Sequence, residues 1–210
     1  MLASRDNGPM AQVLMFPEPV AGLAIRGPKW SDENYWAFCE ANPELRVERT
    51  AEGEIVFMPP AGGESDFRSA KVITYLTVWA ERDGRGEAFG SSVQFFLPDG
   101  SGLSPDAAWV SNRALARLTK QQRKRFLTLA PEFIVEVLSP SDHLREAKAK
   151  MERWISNGVH LAWLIDGDAR TVHVYREGHA PKTRRNLTAI KGEGPVEGFT
   201  LDLHRIWIGL

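Results

Sequence analysis

Two apolar segments each carry one carboxylate: Ser104-Pro105-Asp106-Ala107-Ala108-Trp109-Val110 and Pro131-Glu132-Phe133-Ile134-Val135-Glu136-Val137-Leu138-Ser139. Both are short apolar runs bounded by turn residues, the pattern of buried β-strands. An ionised carboxylate in such a strand is costly unless a cation, a metal ion or hydrogen bonds compensate it. Asp106, Glu136 and a lysine on the helix that follows are the parts of a centre for metal-assisted phosphodiester cleavage. Mg2+ takes carboxylates, carbonyls and water in octahedral geometry. The ion lowers the pKa of a bound water and stabilises charge on the phosphoryl oxygens. A lysine beside it orients the water and offsets transition-state charge.

These residues need elements to position them. Side chains alternate along a strand, so Val135 and Val137 face away from Glu136. The spacing then predicts a helix from about 142 to 157, closed by Asn157-Gly158. Leu144, Ala147, Met151, Trp154 and Ile155 form its apolar stripe, and Lys148 and Lys150 fall on opposite borders of it. Either lysine can reach a strand-end site, and helical position alone does not choose between them.

Upstream, a short helix opens at Trp30-Ser31-Asp32 and stops at Asn42-Pro43. Apolar runs at 45–48 and 55–58 flank Ala51-Glu52-Gly53, a hairpin signal. A long helix follows Pro59-Pro60-Ala61-Gly62-Gly63, bears Glu64 at its start and runs to about Arg82. Strands are expected at 93–97, 161–165 and 171–175, a polar helix at 112–126, and a packing tail from Phe199 to Ile208. This order predicts an α/β domain with a mixed sheet.

The 210 residues suit one domain, and 43% hydrophobic residues, with ten Phe and seven Trp, supply a substantial core. A formal net charge of −1 excludes the molecule-wide basic field of an avid nonspecific nucleic-acid binder. The single cysteine, Cys39, allows no intramolecular disulfide and fits a reducing cytosol. No run reaches the roughly 18 apolar residues of a membrane helix, and the N-terminus lacks a basic segment followed by an apolar signal core. A cytoplasmic protein without a membrane partner is the expectation. No nucleophile elbow or phosphate-binding P-loop is present, and the five histidines lack zinc-ligand spacing.

Segments 58–64, 104–110, 133–142, Lys150-Met151, Asn157-Gly158-Val159 and Ala162-Trp163-Leu164-Ile165-Asp166 resemble the Uma-type restriction endonuclease family of the PD-(D/E)XK nuclease-like superfamily. The likeness runs from about Trp30 to Trp207. It implies a restriction-endonuclease-like mixed β-sheet flanked by helices, with an N-terminal β-hairpin extension. Residues 29–210 are then one domain and 1–28 an N-terminal arm. It further implies Mg2+ or Mn2+ held by Asp106 and Glu136, a DNA substrate and, since cutting both strands needs two sites, a homodimer. Where the superfamily pattern asks for lysine two residues after Glu136, this chain has Leu138. The resemblance implies that the next helix supplies the cation as Lys150, and that Glu64 is the helical acidic residue, a further ligand or base.

Each residue also has a purely structural reading. Asp106 fits a strand-end turn bonded to nearby amides, and Glu136 fits a buried pair with an arginine such as Arg153. Lys150 fits a surface pair with Glu146, worth about 0.3–0.5 kcal/mol. Glu64 fits an acid complementing the helix macrodipole. The basic runs Arg113, Arg117, Lys120, Arg123, Lys124, Arg125 and Lys182, Arg184, Arg185 fit either a phosphate track or a solvated face. Two functions follow: a metal-dependent DNA endonuclease, or a nuclease-like fold without catalysis that binds nucleic acid or protein. Leu138 and the near-zero net charge favour the second.

Overall fold

The computed structural model describes residues 30–210 other than 141, together with the backbone of the strand Ala24–Ile25. That strand, β1, pairs with the later hairpin; the rest of the expected arm lies outside the described residues.

Alternating burial builds a three-layer domain around a six-stranded sheet. In chain order its strands are β4 (Gly86–Gly90), β7 (Ala107–Ser111), β8 (Phe133–Val137), β9 (Leu161–Asp166), β10 (Thr171–Arg176) and β11 (His179–Arg185). They lie in the order β11-β10-β9-β8-β7-β4. All neighbours are antiparallel except β8 and β9. A parallel pair requires a crossover, which helix α4 (Leu144–Ser156) provides. Helix α2 (Gly63–Asp83) covers the opposite face with Val72, Leu76 and Ala80. Phe133, Val135 and Val137 join the α2 side of the core, whereas Ile134 joins the α4 side with Met151 and Trp154. Glu136 therefore shares the α4 face with Ile134.

The remaining strands make two smaller sheets. Strands β2 (Val47–Arg49) and β3 (Ile55–Phe57) form the expected hairpin. It belongs to a five-stranded sheet completed by β1, β5 (Phe95–Phe96) and β6 (Gly102–Leu103), in the order β1-β3-β2-β6-β5. Helix α1 (Asp32–Ala41), capped by Ser31, packs Tyr35 against it. Strands β12 (Ala189–Lys191) and β13 (Thr200–Asp202), with helix α5 (His204–Ile208), complete the α2 side of the core. No helix among the described residues is long and apolar enough to cross a membrane.

The expected helix over 112–126 does not form as one element. It is reduced to α3 (Asn112–Leu115) and a 3-10 turn at Gln122–Lys124. Thr119 and Gln122 exchange side-chain-to-backbone bonds of 2.8 and 3.2 Å that restart the chain. The surrounding run of like charges, Lys120, Arg123, Lys124 and Arg125, also disfavours a continuous helix. Of the seven tryptophans, Trp109, Trp154 and Trp163 are buried and the other four half-buried, and Trp163 stacks on Phe199 with ring centroids 5.9 Å apart.

Candidate active site

Register places the two strand carboxylates together. Ala107 pairs with Val135 and Ala108 with Ile134, so one step further sets Asp106 opposite Glu136 at the end of the sheet. Asp106 sits just before β7, and its Oδ2 accepts a 2.7 Å hydrogen bond from the Val137 amide. Ser69, on the inner face of α2, lies near the same carboxylate and acts to lower its pKa.

Helix α4 brings two groups one turn apart to Glu136. Lys150 Nζ lies 3.1 Å from Glu136 Oε1, and Trp154 Nε1 donates to that oxygen at 3.0 Å. The ammonium also reaches Glu48 Oε1 on β2 at 2.9 Å and the Ser104 carbonyl at 3.3 Å. Its three N–H donors thus meet three acceptors. Glu48 Oε1 accepts in addition from the Ser104 amide at 2.9 Å, which ties the smaller sheet to the strand entering the site.

The structural alternatives for these residues resolve differently. Lys150 leaves Glu146 and spans Glu48 and Glu136. Lys148 extends from the other border of α4, where its charge acts on His173 of β10. Glu136 pairs with Lys150, while Arg153 acts on Glu52 and Asp99. Glu64 does not join the cluster: its carboxylate is half exposed and bonds Arg68, one helical turn on, at 2.8 Å. Arg68 is buried and also holds Asp168 at 2.9 Å and the Ile206 carbonyl at 3.1 Å. The α2 acid is therefore part of an anchor for the C-terminal segment.

Sequence reasoning missed Glu48, Ser69 and Ser104, and it read Trp154 only as core. Glu48 carries no local signal, because its partner Lys150 is 102 residues away. Trp154 does: it stands four residues after Lys150, on the same face of the helix.

The electrostatics show an excess of negative charge. Burial pushes the Glu136 carboxyl up to about 7; Lys150 pulls it down, and Asp106 and Glu48 push it further up. Burial likewise raises Asp106, opposed by the Val137 amide and by Lys150. For Lys150 burial acts downward, yet the adjoining Glu136 and Glu48 outweigh it and hold the ammonium above the usual lysine range. Three carboxylates thus surround one fixed cation. A divalent ion would neutralise the remainder, and an all-oxygen donor set suits Mg2+ or Mn2+. Among the described residues no group of three or more His, Cys, Asp or Glu side chains is arranged to hold a metal.

A search of curated proteins finds no match. Among solved structures, the chain is similar to the crystal structure of "a putative nuclease belonging to DUF820" from Anabaena variabilis, with a TM-score of 0.66 at 19% identity. That likeness covers 79% of this chain and 91% of the other, and it extends to the fold. The family model Uma2, described as "Putative restriction endonuclease", matches residues 32–204, a span that includes Glu48, Asp106, Glu136 and Lys150. The chain belongs to this restriction-endonuclease-like family.

Proposed function

We propose that the chain is a Mg2+- or Mn2+-dependent endonuclease that hydrolyses phosphodiester bonds in DNA. The observation that carries this reading is Lys150. With Leu138 in the strand position, the cation arrives from α4, yet its ammonium ends on Glu136, beside Asp106. Asp106 and Glu136 would hold the ion, which supplies Lewis-acid stabilisation of the phosphoryl oxygens and lowers the pKa of a bound water. Lys150 offsets charge on the phosphorane-like transition state, and the N–H it gives Glu136 in the metal-free site is the one that would turn to the attacking water. Glu48 and the Ser104 carbonyl fix the ammonium in place, and Trp154 orients the Glu136 carboxylate. Glu48, rather than Glu64, is the third acid of the centre. One such centre cuts one strand, so double-strand cleavage calls for a homodimer. The single cysteine supports a cytoplasmic setting.

Plasmid cleavage tests this reading. Nicking or linearisation that requires Mg2+ or Mn2+ is expected of the parent chain. Glu136→Gln and Lys150→Met should each lower the rate by at least about a hundredfold while the chains stay folded. DNA binding that needs no metal, without cutting by the parent, would instead identify a non-catalytic module.

A further inference from the structure

Helix α4 divides the end of the sheet into two flanks, and the second is cationic. Glu136, Leu164, His173 and Thr183 pair across four successive strands, β8 to β11, in one transverse row. Val172 and Val174 belong to the α2 side of the core and Tyr175 to the α4 side, so His173 faces α4. Lys148 leaves α4 on this side, and its charge acts on His173. Arg185, paired with Thr171 two positions along the ladder and so on the same face, adds its charge at that histidine from β11.

Two cations from separate elements therefore converge over β10, on the face and at the sheet end that hold the Lys150 centre. At about 4.8 Å per strand they stand roughly 10–14 Å from Glu136, or about three to four base steps along a duplex. Among the described residues neither cation has a carboxylate within ion-pair distance. Asp166, which pairs with Thr171 in the same row as Arg185, also acts on His173, so this flank sets one carboxylate against the two cations. Glu152, one turn along α4, acts on Tyr175. Arg145 adds an exposed cation three residues before Lys148.

The strand behind them has the same bias. β11 is a sheet edge exposed at all seven positions. No acidic residue occurs between Glu177 and Glu193, where Lys182, Arg184, Arg185 and Lys191 all lie. Edge-to-edge pairing of two copies would set these cations against each other, a device that keeps edges apart. A polyanion meets no such penalty.

We infer that Lys148 and Arg185 form a phosphate-binding shelf for the DNA running past the Lys150 centre, a contact to the sugar–phosphate backbone and not to base edges. The shelf rests on the nuclease reading and gives it a direction: the substrate crosses the sheet end from β7 toward β11. It also lets a chain of near-zero net charge hold a polyanion, since a local group of cations suffices for backbone contact.

Fluorescence anisotropy with a labelled 20-base-pair duplex tests the shelf, in the Glu136→Gln background so that the DNA stays intact. Lys148→Gln/Arg185→Gln should bind about tenfold more weakly at about 0.1 M salt. Its log K against log salt slope should be shallower by about 2, one unit per lost phosphate contact. If the double variant does not fold, each single variant should show a slope change of about 1. Unchanged affinity and slope overturn the shelf while leaving the nuclease reading in place. Failure of the Glu136→Gln chain to bind duplex overturns the shelf as well, and cleavage by the parent then decides the nuclease reading separately.

Discussion

At the scale of single residues, the site is a balance between burial and one ammonium. Glu136 titrates near 7 instead of its ordinary 4.5 because burial outweighs the pull of Lys150. Between those values the folded chain binds a proton that the unfolded chain has released. The stabilising contribution is complete below about 4.5 and is lost as pH rises through about 7. Glu136→Gln removes this dependence. Relative to the parent, the metal-free variant should therefore gain unfolding free energy as pH rises from about 5 to about 8, by about 2–3 kcal/mol at most. Urea titrations at several pH values check this, and a difference that does not vary with pH contradicts it. Much of this chemistry is legible in the residues themselves: Asp106 and Glu136 stand out because they interrupt apolar strands. Glu48 does not, because a glutamate in a three-residue hairpin strand is indistinguishable from a surface acid until the fold brings Lys150 to it. The choice between Lys148 and Lys150 is closed to periodicity for a related reason. Both border the same stripe, and only the strand beneath each border tells them apart.

At the scale of elements, the strands buried on both faces read clearly and the edges do not. β8 and β9 are apolar but for Glu136 and the terminal Asp166, as strands covered on two sides must be, and β10 reads from its Val and Tyr residues although Thr171 and His173 break the run. β4 and β11 carry no such signal. β11 is polar throughout, and β4 holds two glycines in five residues. Gly86 is there because a Cβ would collide with the Val110 carbonyl and the Trp109 ring of β7. Gly86→Ala should therefore loosen the β4–β7 edge and cost about 1–3 kcal/mol, read as a lower urea midpoint at constant m-value. An unchanged midpoint would show that β4 yields without loss. The polar stretch 112–126 fails as a helix for a local reason, the Thr119–Gln122 bonds, which a count of apolar spacing does not register.

At the scale of the molecule, the architecture follows from one parallel pair within an otherwise antiparallel sheet. The β8–α4–β9 crossover positions the candidate site, since α4 delivers Lys150 and Trp154 to one flank and Lys148 to the other. The five-stranded sheet then contributes Glu48 from outside the main layer, so the centre completes only when both sheets are in place. A net charge of −1 conceals this arrangement, because it averages an acidic pocket with a basic edge. The central claim is that Asp106 and Glu136 bind a divalent ion beside Lys150. Crystals soaked in Mn2+ and measured for anomalous scattering test it without any choice of substrate. The expected result is a peak within ligand distance of both carboxylates, about 2.0–2.2 Å, with Lys150 still beside Glu136. A site empty of anomalous density at saturating Mn2+ would contradict the claim.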